Sequence, residues 1–148
     1  MSLVDRSWPL LSRAMQLHVW AYRATGGAVG GHFPGGAHVL LLDHVGARSG
    51  ARRTTPLLYV RHDPDVVLVA SKGGHPRHPA WYHNLLAHPD TTVQIGSERH
   101  AVHARKADPE ERARLWPMAV AVYGGYRGYQ ERTAREIPLM ILEPRAAG

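Results

Sequence analysis

The chain has 148 residues, a formal net charge of +6 and no cysteine. This length fits one domain with its own hydrophobic core, and the lack of cysteine excludes disulfides, thiolate nucleophiles and cysteine-ligated metals. No apolar run approaches the roughly 20 residues of a membrane-spanning helix, and charged residues interrupt the N-terminus where a signal peptide would be apolar, so we expect a cytoplasmic protein.

The first half of the chain predicts one helix and three short strands. Apolar residues recur every three or four positions over residues 3–24, as on a helix that lies against a core. Glycine pairs and a proline over residues 26–36 then predict a flexible connection within the domain. Apolar runs predict strands over residues 39–42, 54–60 and 66–70, with turns between them.

The second half predicts two further helices and three further strands. A proline at position 79 suits a helix start, and this helix should end at about residue 87. Residues 91–95 and 99–105 predict a hairpin. Asp108 begins the next helix as its N-cap, and Pro117 should kink or end that helix at about Trp116. Residues 137–142 predict the last strand.

These elements predict an α+β fold that is mainly β. Strands joined mostly by turns argue against a parallel sheet and favour a small barrel of about six mostly antiparallel strands, packed by three to four helices. We expect residues 1–148 to form a single domain, with an N-terminal helix over residues 1–25 and the barrel over residues 36–144.

The positive charge favours an anionic partner, such as nucleic acid, a phosphorylated ligand or an anionic membrane surface. The arginines near residue 50 and Lys72 lie beside glycines, whereas Arg127 and Arg135 are expected on helical surface. Nucleic-acid-binding motifs are absent from the sequence, so we expect no nucleic-acid partner. The eleven histidines lack a His-Glu-x-x-His pattern, and we expect no metal site.

One candidate site is the glycine turn that carries Arg48, Ser49 and Gly50, followed by Arg53. Glycines on both sides of a serine expose backbone N–H groups that can converge on phosphate oxygens, and arginines add forked, charge-assisted hydrogen bonds. A surface hairpin with solvated arginines explains the same pattern equally well. The segment lacks the spacing of a Walker A loop.

A second candidate site begins where a predicted strand stops at Ser71-Lys72-Gly73-Gly74 and continues to Trp81-Tyr82-His83-Asn84. Small residues let a backbone approach a ligand, and the lysine supplies a positive charge. An indole, a phenol, an imidazole and an amide follow within one helical turn. The pattern favours a large, flat, anionic ligand, and the alternative is a tight turn followed by a helix with core aromatics.

A third candidate site contains Tyr123, Tyr126 and Tyr129, which are separated by glycines and therefore argue against a helix interior. Such tyrosines could line a pocket, stack on a flat ligand and donate phenolic protons. A tyrosine-rich loop packed on the barrel is the alternative.

With these three segments in this order, the chain resembles the deazaflavin-dependent nitroreductase family of split-barrel flavin-binding proteins. The resemblance covers residues 35–144. It rests on Gly-x-Arg-Ser-Gly-x-x-Arg-Thr-Thr-Pro-Leu from Gly46, Val-Ala-Ser-Lys-Gly-Gly from Val69, Pro-Ala-Trp-Tyr-His-Asn-Leu from Pro79, and Tyr-x-x-Tyr-x-x-Tyr-x-x-Arg-Thr-x-x-Glu-Ile-Pro from Tyr123. The chain departs from the family pattern at Arg48, where lysine is common, and at Asp43-His44, which replace a hydroxyl-rich pair.

The resemblance implies a split β-barrel that binds coenzyme F-420, an 8-hydroxy-5-deazaflavin whose side chain ends in phosphate, lactate and an oligoglutamate tail. It implies that the first segment holds the phosphate and acidic tail, the second the ring edge and ring pocket, and the tyrosines with Ser71 the substrate. The implied cofactor-binding residues are Arg48, Ser49, Gly50, Arg53, Thr54, Thr55, Pro56, Ala70, Ser71, Lys72, Gly73, Gly74, Trp81, Tyr82, His83 and Asn84. The implied catalytic residues are Tyr126, Tyr123, Tyr129 and Ser71.

The resemblance therefore implies an oxidoreductase that transfers hydride from reduced F-420 to an electron-poor small molecule, namely a quinone, an activated alkene or a nitro compound. The alternatives are an FMN-dependent oxidoreductase with the same barrel and a non-catalytic deazaflavin carrier. A monomer and a homodimer both remain open, as does contact of the N-terminal helix with a membrane surface.

Overall fold

The computed structural model describes residues 3–33 and 37–146. Its helices are α1 (Leu3–Thr25), α2 (Ala80–Ala87), α3 (Pro109–Val122) and α4 (Gly125–Glu131), with a short 3-10 helix over Lys72–Gly74. The predicted glycine positions Gly35 and Gly36, and with them the predicted start of the barrel, lie outside the described residues.

Eight antiparallel strands form one curled sheet in the described part of the chain. Its order is β1-β2-β6-β7-β8-β5-β4, and β3 pairs with β2 off this path. The predicted split barrel with mostly antiparallel strands is confirmed, with two more strands than the expected six. The strands are β1 (His32–Phe33), β2 (Ala37–Val45), β3 (Arg52–Leu58), β4 (Val60–His62), β5 (Asp65–Val69), β6 (Asp90–Ile95), β7 (Glu98–Lys106) and β8 (Leu139–Pro144).

The additional strands have simple causes. Residues 54–60 were expected as one strand, but the chain changes partner at Tyr59, so β3 pairs with β2 and β4 pairs with β5. The two-residue β1 lies in the glycine-rich connection and pairs with the start of β2. Neither the change of partner at Tyr59 nor the two-residue β1 produces a separate apolar run that would mark it in the sequence.

Two packed layers share strands β5 and β8. Val66 and Leu68 face the barrel interior with Trp81 and Leu85. Val67 and Val69 face the other side, against α3 and α4. Because side chains alternate across a strand, an apolar residue at every position buries both faces of the sheet.

Helix α3 begins as predicted and ends later than predicted. Asp108 and Glu111 form a reciprocal capping box, with N–H···O distances of 2.9 and 3.1 Å. Of the two expected effects of Pro117, an end of the helix near Trp116 is wrong, because α3 continues through Pro117 to Val122. A proline removes one helical hydrogen bond, and the burial of Leu115 and Ala119 against the sheet stabilises the helix around it.

The tyrosine segment also differs from expectation, because Tyr126 and Tyr129 lie in helix α4. Each glycine in a helix interior costs about 1 kcal/mol relative to alanine. The buried Tyr126 ring, together with half-buried Tyr123 and Tyr129, packs into the outer core and offsets that cost. Burial of these tyrosines in the tertiary structure therefore outweighs the low helix propensity of the glycines and makes this segment helical.

Helix α1 lies against the barrel through its last turns. Tyr22 is buried with Val39 and Leu41, and its hydroxyl accepts the Gly96 N–H at 2.8 Å. Leu17 and Trp20 point outward, with about two thirds of each side chain exposed at 65% and 67%. Within the described residues, none of the helices has the length and apolar character needed to cross a membrane.

Candidate functional site

A cleft of about 550 Å³ opens between α1, β3, the 3-10 helix and the start of α2. Met15 and Val19 line it from α1, and Trp81 lines it from α2. The predicted site residues that the cleft brings together are Arg53, Thr54, Thr55, Lys72 and Trp81. The two segments singled out around positions 50 and 75 therefore meet in space.

The cleft joins an apolar wall to a basic rim. Met15, Val19 and Trp81 offer apolar and aromatic surface, whereas Arg52, Arg53 and Lys72 supply positive charge at the opening. An aromatic wall suits a flat ring, and guanidinium and ammonium groups suit phosphate or carboxylate. The arrangement fits a ligand that has a planar apolar part and an anionic part.

A second groove of about 550 Å³ shares His44, Arg52, Arg53 and Thr54 with the cleft. Arg23 and Arg99 extend it, and we call these residues with Arg52 and Arg53 the basic groove. Asp43 lies in the groove, where its carboxylate accepts hydrogen bonds from Arg23 at 3.1 Å, Arg99 at 2.8 Å and the Thr54 hydroxyl at 2.7 Å. One acidic group thereby fixes basic side chains from α1 and β7 beside β3.

Asn84 and His44 tie the glycine turn to α2. The Asn84 side-chain oxygen accepts the Ala47 N–H at 2.9 Å, so its nitrogen donates to Nδ1 of His44 at 2.9 Å. The His44 Nε2–H then donates to the Thr55 hydroxyl at 2.8 Å. This chain of bonds requires a neutral imidazole, because a proton on Nδ1 would leave no acceptor for the amide.

The electrostatic surroundings agree with a neutral imidazole. Burial, and then the neighbouring Arg53 charge, lower the pKa of His44 to about 4. Asn84 was predicted to support a ring pocket, and the structure commits its amide to positioning the turn between β2 and β3.

The glycine turn itself is exposed. Arg48, Ser49 and Gly50 stand outside the lining of the cleft, and Gly50 has a φ of 69°. The Ser49 hydroxyl accepts the Ala51 N–H at 3.2 Å. Pro56, which was predicted with this segment, lies half-buried in β3 opposite Leu41.

The segment after β5 turns sharply over residues 71–74, which we call the lysine turn. Ala70 and Ser71 are buried, whereas Lys72 is exposed and has a φ of 47°. This left-handed conformation is uncommon for a residue other than glycine and costs of order 1–3 kcal/mol unless surrounding structure holds it. Strain at a residue that lines the cleft points to a functional constraint.

The two glycines of the lysine turn differ in their surroundings. At Gly74, with a φ of 81°, a Cβ would lie 2.7 Å from the Tyr129 carbonyl oxygen, so α4 packs directly on the turn. At Gly73, with a φ of 63°, a Cβ would meet nothing within 4 Å. Gly74 is therefore required by packing as well as by its backbone conformation.

The aromatic residues of α2 divide between the core and the surface. Trp81 belongs both to the barrel core and to the cleft, and Tyr82 is buried in the same core. His83 is exposed and contacts the rings of His78 and Tyr82. Of Trp81, Tyr82, His83 and Asn84, Trp81 is the residue that lines the cleft.

The three tyrosines, which we call the tyrosine cluster, pack behind the lysine turn and do not line the cleft. Tyr123 and Tyr129 share a hydrogen bond of 2.9 Å between their hydroxyl oxygens. Tyr126 is buried, and its ring lies edge-on to Tyr123 with centroids 4.9 Å apart. Burial raises the pKa of Tyr126, and the neighbouring tyrosines add to that shift, so its phenol stays protonated at neutral pH.

The sequence interpretation missed Arg135. We expected it on helical surface, and this expectation is wrong, because its guanidinium reaches under the lysine turn and donates to Ser71 O at 2.7 Å. The residue lies in an irregular segment between α4 and β8, where no periodicity marks a buried side. No group of three or more His, Asp or Glu side chains that could hold a metal occurs among residues 3–33 and 37–146.

Residues 14–144 match the sequence profile of the F420H(2)-dependent quinone reductase family. The chain belongs to this family. The predicted membership in an F-420-dependent reductase family, and with it the predicted oxidoreductase class and cofactor, are confirmed.

Individual relatives agree with the family assignment. An F420H(2)-dependent quinone reductase of Mycobacterium tuberculosis is 42% identical over 134 residues, which cover 88% of this chain and 90% of the relative. A solved F420-H2 dependent reductase, FDR-A, is 42% identical with a TM-score of 0.66 and covers 71% of this chain and 93% of its own. A structure described as a domain-swapped dimer is 35% identical with a TM-score of 0.70, and the match covers 96% of this chain and 100% of that structure's chain.

The neutral imidazole of His44 predicts a pH dependence of stability. Its pKa of about 4 in the folded chain lies below the value of about 6.5 in the unfolded chain, so the unfolded state binds the additional proton as the pH falls. The stabilisation is complete above pH ~6.5 and is lost towards pH ~4, with a total on the order of 3 kcal/mol.

Urea unfolding of the wild type and His44→Gln at several pH values measures this effect, because the glutamine does not titrate. We expect the difference in free energy of unfolding between the two proteins to shrink as the pH falls from 7.5 to 4.5. Parallel pH profiles of the two proteins would contradict the buried neutral imidazole.

Proposed function

We propose that the chain transfers hydride from reduced coenzyme F-420 to a quinone and that the deazaflavin occupies the cleft. The observation that carries this proposal is the meeting of Trp81, Arg53 and Lys72 around one opening of suitable chemistry. Family membership supports the cofactor and the acceptor class. When bound, the reduced deazaflavin supplies the hydride, and the protein contributes binding, orientation and exclusion of water.

The cleft residues have distinct roles in this proposal. The indole of Trp81 and the apolar side chains of Met15 and Val19 would enclose the ring. Arg53, with the Thr54 and Thr55 hydroxyls, would hold the phosphate, since charge-assisted bonds to phosphate are strong. Thr55 is suited to this role, because its hydroxyl accepts the His44 N–H and keeps its own proton for a ligand oxygen.

The basic groove would hold the acidic tail. It continues from the cleft at Arg52 and Arg53 and carries further positive charge at Arg23 and Arg99. The exposed turn with Arg48, Ser49 and Gly50 adds donors beside the same hairpin. A tail of glutamates therefore meets arginines from α1, β3 and β7 along one path.

We propose that Tyr126 supplies the proton that completes reduction of the acceptor, and that Ser71, Tyr123 and Tyr129 face the substrate with it. Among the described residues the Tyr126 hydroxyl has no hydrogen-bond partner, whereas every fully buried polar side-chain atom has one, so its oxygen is not fully enclosed. Its raised pKa keeps the phenol protonated and suits a donor rather than a base.

We also propose a single-domain cytoplasmic protein that forms a homodimer, as the domain-swapped relative supports. The outward face of α1 carries exposed Leu17 and Trp20 together with exposed Arg13, which suits peripheral contact with an anionic membrane. Sedimentation without vesicles tests the homodimer, and sedimentation with anionic vesicles tests the membrane contact. A monomer that does not bind the vesicles would contradict both proposals.

Removing the basic groups should weaken cofactor binding in a way that depends on tail length. We expect Arg53→Ala and Lys72→Ala each to raise the Kd of F-420 about tenfold or more, because each removes a charge-assisted contact. The loss should grow with the number of glutamates for Arg53→Ala, since Arg53 belongs to both the cleft and the basic groove.

Fluorescence titration with short-tailed and long-tailed F-420 measures these constants. Arg114→Ala is the matched control, because Arg114 is exposed on α3 away from the cleft. A loss that is equal for all tail lengths would argue against the basic groove as the tail site.

The proton-donor proposal predicts that Tyr126→Phe keeps the Kd of F-420 and lowers kcat for quinone reduction by roughly 10²-fold, as expected for loss of a general acid. Tyr123→Phe is the comparison, since it removes a hydroxyl from the same cluster. The measurement is stopped-flow oxidation of reduced F-420 by a soluble quinone. Turnover of Tyr126→Phe at the wild-type rate would remove Tyr126 from this role.

A further inference from the structure

Arg135 makes an unusually large number of hydrogen bonds for one side chain. Its Nε donates to His75 O at 2.9 Å, and its Nη2 donates to Ser71 O at 2.7 Å. Its Nη1 donates to Ala70 O at 3.1 Å and contacts His78 Nδ1 at 2.9 Å. A guanidinium has five N–H donors in a rigid fork, so these four acceptors use most of its capacity.

The acceptors of Arg135 surround the lysine turn in sequence. Two lie before Lys72, at Ala70 and Ser71, and two lie after it, at His75 and His78. Three of the four are backbone carbonyl oxygens, so the guanidinium fixes the path of the chain and not only the side chains. A planar group that holds both ends of a short loop limits the conformations available between them.

Lys72 needs such support. Its φ of 47° is a left-handed conformation that persists only when the surroundings hold it. Packing of α4 on Gly74 supports the turn from one side, and Arg135 holds its carbonyl oxygens. The side chain of Lys72 lines the cleft in this conformation.

Arg135 is itself held in place by α3 and α4. The Gln130 amide nitrogen donates to Arg135 O at 2.8 Å, and the Gln130 side-chain oxygen accepts from Arg112 at 3.1 Å and from the Ile137 N–H at 2.9 Å. The main chain at Arg135, from which the guanidinium extends, is therefore held by the helices on the outer face of the sheet. Among the described residues no carboxylate forms an ion pair with Arg135, so its guanidinium interacts mainly with the acceptors of the loop.

We infer that Arg135 is the positioning residue of the cofactor site: it holds the lysine turn so that Lys72 faces the cleft, without contacting the cofactor itself. This inference rests on the proposed function, because it assigns the turn to cofactor binding. A lysine at position 135 could reach some of the carbonyl oxygens but could not bridge both ends of the loop.

The test compares Arg135→Gln and Arg135→Lys with the wild type and with Arg127→Gln, an exposed arginine on α4. Steady-state kinetics with reduced F-420 and a soluble quinone give KM for each substrate, and fluorescence titration gives the Kd of F-420. We expect Arg135→Gln to raise the KM and Kd for F-420 about tenfold, with a smaller rise in Arg135→Lys, and to leave the KM for quinone near the wild-type value.

The outcomes separate this inference from the function on which it rests. Failure of the wild type and Arg127→Gln to bind F-420 would overturn the proposed function. Normal binding by the wild type together with an unchanged KM for F-420 in Arg135→Gln would overturn the role of Arg135 alone, as would a lower melting temperature with no change in KM. Should Arg135→Gln fail to fold, Arg135→Lys decides: a rise of about threefold or more supports the inference, and a wild-type KM overturns it.

Discussion

Strand β5 buries apolar side chains on both of its faces, Val66 and Leu68 in the barrel and Val67 and Val69 against the outer helices. At the end of this strand the chain turns where the two packed cores meet. The lysine turn occupies that position. Trp81 approaches from the barrel core, and α4 packs on Gly74 from the outer core. The cleft therefore lies beside the point where the two layers meet.

Asp43 and His44 interact with the basic side chains beside the cleft. Asp43 accepts hydrogen bonds from Arg23, Arg99 and Thr54, so it orients basic side chains while removing part of their net charge. His44 stays neutral beside Arg53 because burial and that charge both disfavour its protonated form. The pair Asp43-His44 thus contributes an orienting carboxylate and a neutral hydrogen-bond relay to Thr55.

Local patterns predicted the elements, and long-range contacts decided the rest. A continuous apolar run marked β5, and the capping residues Asp108 and Glu111 marked the start of α3, because both signals act within a few residues. Helix α4 was missed because burial of Tyr126 outweighs the glycine propensities around it. Arg135 was missed because its partners lie 57 to 65 residues away in sequence, where no local pattern records them.

The central claim is that the cleft binds a deazaflavin with an acidic tail. The most direct measurement is a competition titration of the purified chain with F-420 and FMN. Fluorescence reports binding, and the titration is carried out at two ionic strengths. We expect F-420 to bind more tightly than FMN and this difference in affinity to fall as salt screens the basic groove. Tighter binding of FMN, or equal binding of both at every salt concentration, would contradict the central claim.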